Sequence, residues 1–124
     1  MSKKCSLFRL CPEPIGPYSQ AIRQENMLFV SGQIAIQKSS GKLITDDIET
    51  ETAQVMRNIG DILNAAGFDF QHVVKSTIFL QDFNDFAKVN EVYGRSFPNN
   101  PPARETVEVS LPKDVNIEIS MYSC

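Results

Sequence analysis

Histidine and cysteine are scarce in this sequence, which has one histidine, His72, and three cysteines, Cys5, Cys11 and Cys124. An odd, scattered set of cysteines is a poor disulfide framework and suits a reducing compartment. No Cys/His pair has zinc-site spacing, so no metal is expected. Basic charge is not in excess either: 12 Lys and Arg stand against 15 Asp and Glu, a formal net charge of -3. That balance argues against broad binding to phosphate backbones, which needs clustered Lys and Arg. Lys3-Lys4 is too short for a basic arm. Gly32, Gly41, Gly60 and Gly67 are isolated from one another, so no phosphate-cradling loop is present. No apolar run approaches the ~20 residues that span a bilayer. The stretch from Cys5 to Cys11 is broken by Arg9 and does not make a secretory core. Repeats and low-complexity tracts are missing. The default expectation is a soluble cytoplasmic protein, and a short organellar presequence is compatible with it.

What is present suits one globular domain over residues 1–124, with 42% hydrophobic and 22% charged residues. A chain of this length buries roughly two-thirds of its unfolded surface, enough for a real core. Pro12, Pro14, Gly16 and Pro17 predict a rigid turn before Tyr18. Residues 21–23 and 27–31 read as a hairpin bending at Glu25-Asn26, and Ile34 to Ile36 extends the strand pattern. The best helix is Asp47 to Ala66, where Ile48, Thr52, Val55, Ile59, Ile62 and Ala66 recur at helical spacing. Asp46 with Glu49 is expected to cap its start, and Gly67 to end it. Val73 to Leu80 has the two-sided apolar character of a central strand. Asn84 should cap a second helix that buries Phe86, Val89, Tyr93 and Phe97. Residues 105–109 and 115–122 complete the order β-β-β-α-β-α-β-β. In the last strand Val115, Ile117, Ile119 and Met121 alternate with Asn116, Glu118, Ser120 and Tyr122. The fold class is α+β: a mixed sheet with both helices on one face. The opposite face is expected to carry Arg104, Thr106, Glu108 and Glu118.

Nucleophilic catalysis finds little support, because no cysteine or serine has an evident base partner. His72 reads as a surface residue at a strand entrance. The remaining constellation is Arg104 with Glu118, on consecutive strands. Arg binds carboxylates bidentately, and Glu can take a proton from water. The same pair would equally make a cross-strand salt bridge. Tyr18 and Asn90 read as a core-edge aromatic and a helix-surface amide.

Seven blocks in order carry a family resemblance. Residues 15–21, IGPYSQA, come first, and Ser31-Gly32-Gln33-Ile34 follows. Val73-Val74-Lys75-Ser76-Thr77 is next, then Asp85-Phe86 with Asn90-Glu91-Val92-Tyr93. Pro102-Ala103-Arg104 and residues 111–115, LPKDV, precede Ile117-Glu118-Ile119. Together they resemble the Rid/YjgF family of reactive intermediate deaminases. The resemblance implies a chorismate-mutase-like homotrimer with three clefts between subunits. It implies hydrolysis of 2-imino acids, such as 2-iminobutanoate or 2-iminopropanoate, to 2-oxo acids and ammonia, with no cofactor. Arg104 would hold the substrate carboxylate, helped by the backbone N–H of Thr106, and Glu118 would orient or activate water. Tyr18, Ser31, Gly32 and Asn90 would line the cleft. Enamine tautomers of dehydrated Ser or Thr would be the upstream compounds.

Three positions depart from the family pattern. Thr106 stands where cysteine is common, and Ser120 where a second acidic residue is common. Residues 109–112, VSLP, are one residue shorter than usual. A one-residue change flips a strand's faces unless a turn or bulge absorbs it. Two other readings share parts of this site. One is a non-catalytic, regulatory or chaperone-like trimer that binds a small carboxylate through Arg104, or exposed surface on unfolded chains, and does not need Glu118. The other is a ribonuclease or translation inhibitor, disfavoured by the acidic balance and the lack of a stacking platform.

Overall fold

The computed structural model describes residues 4–6, 18–112 and 114–124. The proline-rich turn expected before Tyr18 lies outside them, as does Lys113. Among the described residues six strands form one sheet: β1 (Lys4–Ser6), β2 (Ala21–Gln24), β3 (Met27–Gln33), β4 (Val73–Leu80), β5 (Ala103–Glu108) and β6 (Ile117–Ser123). Their order in the sheet is β1-β2-β3-β6-β4-β5. All neighbours are antiparallel except β4 and β5, so the sheet is mixed. Helices α1 (Ile48–Ala65) and α2 (Phe86–Gly94) pack on each other, and α1 also lies against β3 and β6.

The expected element order is reproduced, but its first three strands differ. Lys4–Ser6 is a strand that the sequence reading does not contain, and Ile34 to Ile36 is not one. There, a single bridge joins Ile36 to Leu43. The side-chain amide of Asn58 donates to the carbonyls of both Ile34 (3.1 Å) and Ile36 (2.9 Å). A helix side chain thus satisfies groups that a strand ladder would have used. The hairpin is as expected: Gln24 pairs with Met27, and Glu25 takes a positive φ of 53° in the two-residue turn.

The apolar stripe of α1 buries Val55, Ile59, Ile62 and Leu63 against Leu28, Val30, Ile78, Leu80, Ile117, Ile119 and Met121. Its cap is Asp47 rather than Asp46; the Asp47 carboxylate accepts from Thr50 N–H at 2.7 Å. Gly67 follows the helix with φ 83°, the left-handed conformation that ends many helices. The second helix is shorter than its pattern suggests. A 3-10 turn, Phe83–Asp85, precedes it and is capped by Asp82, not Asn84. Val89, Tyr93 and Phe97 are buried as expected, whereas Phe86 is 38% exposed.

The short segment before β6 does not flip that strand. Ile117, Ile119 and Met121 are buried, and Val115 just ahead of the strand is buried too. Glu51 of α1, itself fully buried, accepts from both the N–H of Asn116 (2.9 Å) and its side-chain amide (2.8 Å). Gln81 adds two more ties, donating its N–H to Asn116 O and accepting from Leu111 N–H. These four bonds fix where β6 starts, and hence where Glu118 projects.

Candidate active site

Arg104 and Glu118 do not share a sheet face. In register, Arg104 pairs with Ser76 and Thr106 with Ile78, so both point to the side covered by the helices. Glu118 pairs with Phe79 on the opposite, open side. Consecutive in the chain, β5 and β6 are separated in the sheet by β4. Arg104 and Glu118 are therefore two strands and three residues apart, roughly 14 Å between backbones from standard strand spacings. The expectation of one shared face fails because β5 inserts parallel to β4, at the sheet margin, instead of forming a hairpin with β6. The cross-strand salt-bridge reading fails with it.

Two groups of site residues result. The first surrounds Arg104. Its guanidinium donates to the Asn90 side-chain oxygen at 2.8 Å. It also lies over the rings of Tyr93 (5.1 Å to centroid) and Phe86 (5.7 Å). Phe86, Asn90 and Tyr93 are spaced four and three residues apart, so α2 presents them as one stripe. Such stacking orients a planar cation. Among the described residues no ion pair involves Arg104, which leaves most of its donors for an incoming anion. Phe83, Phe86, Arg104 and Thr106 line an open recess of about 520 Å³.

The backbone of Thr106 is placed by the β4–β5 ladder. The N–H of Val109 donates to Leu80 O across the β4–β5 ladder. Ladder direction alternates along a parallel strand, so the Thr106 N–H points away from β4 to the sheet margin. The Thr106 hydroxyl is buried and has no partner among the described residues.

The second group surrounds Glu118. β3 carries a bulge between Val30 and Gln33, which brings Gly32 to the Glu118 side chain. A β-carbon on Gly32 would overlap the carboxylate. Ser31 donates its hydroxyl to Ser19 O at 2.6 Å, and its N–H goes to Gln20 O. These bonds hold the segment carrying Tyr18 beside the bulge, with the Tyr18 ring 47% exposed. Burial pushes the Glu118 carboxyl above its ordinary value. His72 is a surface residue as read, closing a capping box with Asp69.

The sequence reading names Arg104, Asn90, Thr106, Tyr18, Ser31, Gly32 and Glu118. It omits Phe83, Phe86 and Tyr93 as neighbours of the arginine. The i, i+4, i+7 spacing of Phe86, Asn90 and Tyr93 is the signal that places them beside Asn90.

The family described as Endoribonuclease L-PSP matches residues 9–124. The chain belongs to this family, the Rid/YjgF family. It is 55% identical over 109 residues to a RutC family protein of Pyrococcus horikoshii, covering 87% of this chain and 86% of that one. It is 48% identical over 109 residues to the human 2-iminobutanoate/2-iminopropanoate deaminase, covering 87% of this chain and 80% of that one. The solved structure of Escherichia coli TdcF with bound serine superposes with a TM-score of 0.91 at 35% identity, covering 97% of this chain and 98% of that one. The fold is therefore that of the L-PSP/Rid proteins. Among the described residues no helix is long and apolar enough to cross a membrane.

Proposed function

We propose that this Rid-family protein is a cofactor-independent deaminase of small 2-imino acids, working in clefts shared between subunits of a homotrimer. The observation that carries the reading is the separation of an anion holder, Arg104, from a proton acceptor, Glu118, onto opposite sides of one sheet. Neither group alone makes a hydrolytic site, and one subunit cannot bring them together. A neighbouring subunit that lays its open face over the β5 margin can. The open face suits such a contact: Phe29 and Tyr122 pack edge to face there, 37% and 45% exposed, and Val107 is exposed as well. Exposed apolar surface of this kind marks contact sites, and closed rings are the usual form of homo-oligomers.

In the cleft, Arg104 and the Thr106 N–H hold the carboxylate of R–C(=NH)–COO⁻, with Asn90 fixing the arginine. Glu118 of the facing subunit accepts a proton from water as its oxygen bonds to the imine carbon. Glu118 returns that proton to the imine nitrogen, completing the carbinolamine; the carbinolamine hydroxyl proton then passes to nitrogen as the C–N bond breaks, and R–CO–COO⁻ and ammonia leave with Glu118 ionised again. Atoms balance with one water consumed, and no electrons are transferred. Imines already hydrolyse in water unaided, so a modest acceleration from positioning suffices. The name of the human relative at 48% identity supports the same substrate class.

The test generates an imine in situ with an amino-acid oxidase and competes this protein against a carbonyl-trapping scavenger such as semicarbazide. The protein should lower the amount of imine-derived adduct captured. Undiminished capture, with 2-oxo acids still binding at Arg104, would replace the enzyme with a carboxylate-binding module.

A further inference from the structure

Tyr93 is buried, 5% exposed, and its hydroxyl hydrogen-bonds the hydroxyl of Ser76, which is 1% exposed. Ser76 is also the residue that β4 pairs directly with Arg104. The Arg104 guanidinium lies over the Tyr93 ring. One small cycle thus joins the arginine, its strand partner and the aromatic face beneath it. Burial pushes the Tyr93 phenol up, with the Ser76 bond and the Arg104 charge acting the other way. The phenol therefore stays neutral and remains available to the serine.

From this geometry we infer that Tyr93, latched by Ser76, is a positioning residue that sets the plane and height of the Arg104 guanidinium for carboxylate binding. The inference rests on the carboxylate-clamp role given to Arg104 above. Asn90 fixes one end of the guanidinium with a single hydrogen bond, which leaves its rotation free. A ring face beneath it removes that freedom, because a planar cation stacks best flat. Phe97 packs on the ring at 4.8 Å between centroids, and Ser76 on β4 holds the hydroxyl end. Neither Tyr93 nor Ser76 touches the ligand in this account.

The test compares the parent with Tyr93→Phe, Ser76→Ala and the double variant, each as the full chain. It reads Tm, the Kd of pyruvate as an unreactive 2-oxo acid, imine turnover, and the NMR signal of the Arg104 Nε–H. Each single substitution strands one buried hydroxyl and should lower Tm. The double variant removes both partners and should regain most of it. Positioning predicts that affinity does not return with stability. In the double variant pyruvate binds about tenfold more weakly, KM rises by a similar factor, kcat changes less, and the Nε–H signal shifts. A double variant with parental pyruvate affinity and an unmoved signal would overturn the proposal. A parent that binds pyruvate through Arg104 yet turns over no imine would refute the deaminase reading alone, and the affinity comparison would still decide the latch.

Discussion

The carboxylate of Glu118 occupies the space that a β-carbon on residue 32 would need. Gly32 has no positive φ, so its backbone would accept alanine without strain. What alanine would displace is the far end of a flexible side chain, which swings aside at small cost. Gly32→Ala should therefore leave Tm nearly unchanged while moving the carboxylate from the position proposed for accepting a proton from water. A turnover loss of about tenfold or more is expected, since small misplacements of reacting groups are costly. Thermal melting and imine turnover measured on the same preparation check this; equal turnover would show that the Glu118 position is not critical.

Glu118→Gln keeps the shape and removes the proton acceptor. Turnover should fall by roughly 10²–10⁴-fold. In the parent, kcat/KM should decline as the pH falls through the raised Glu118 value, because only the ionised form accepts a proton. The stability effect has the opposite sign. Between the ordinary value of 4.5 and the raised folded value, the folded chain holds a proton that the unfolded chain has released. Stability from this group is thus present at low pH and lost as the pH rises. Glu118→Gln should raise Tm at pH 7 and change it little near pH 4. A variant less stable at pH 7 would show that the carboxylate is satisfied in the folded protein.

Arg104→Lys keeps the charge but loses the planar fork and the stacking on Tyr93 and Phe86. Binding of a 2-oxo acid should weaken about ten- to a hundredfold, as for loss of a hydrogen bond to a charged group. Calorimetry with pyruvate measures it. Parental affinity in the lysine variant would mean that charge alone holds the ligand.

Thr106 allows its main chain and side chain to be separated. Thr106→Val replaces a hydroxyl that has no described partner and should hold or raise Tm with activity retained. Thr106→Pro removes an N–H that faces the sheet margin rather than the β4 ladder, a placement where proline is tolerated. The proline variant should fold, melt within a few degrees of the parent, and lose carboxylate affinity. Retained affinity would take the Thr106 N–H out of the site.

Local pattern reaches most of the fold. The 3.6-residue stripe of α1, the alternation of β6 and the two-sided β4 are all visible as residue periodicities, because burial of each acts on its own neighbours. Sheet order is not local. That β4 inserts between β5 and β6 depends on a parallel crossover through α2, and nothing in residues 103–123 displays it. For this reason the residue pattern puts Arg104 and Glu118, both candidate site residues, on one face where the fold puts them on two. The Glu51–Asn116 tie is equally hidden: a glutamate on the first turn of a helix reads as a solvated charge until the segment before β6 is seen to close over it. Asn58 is a similar case, an amide in a helical stripe whose carbonyl partners lie more than twenty residues away.

The central claim is that each cleft joins Arg104 of one subunit to Glu118 of the next. Arg104→Ala and Glu118→Gln variants, each folded and inactive alone, should be unfolded, mixed in equal amounts and refolded together. With random assembly about a quarter of the clefts carry both groups intact, so close to a quarter of the parental turnover should reappear. Mixed oligomers that assemble and stay inactive would contradict the shared site.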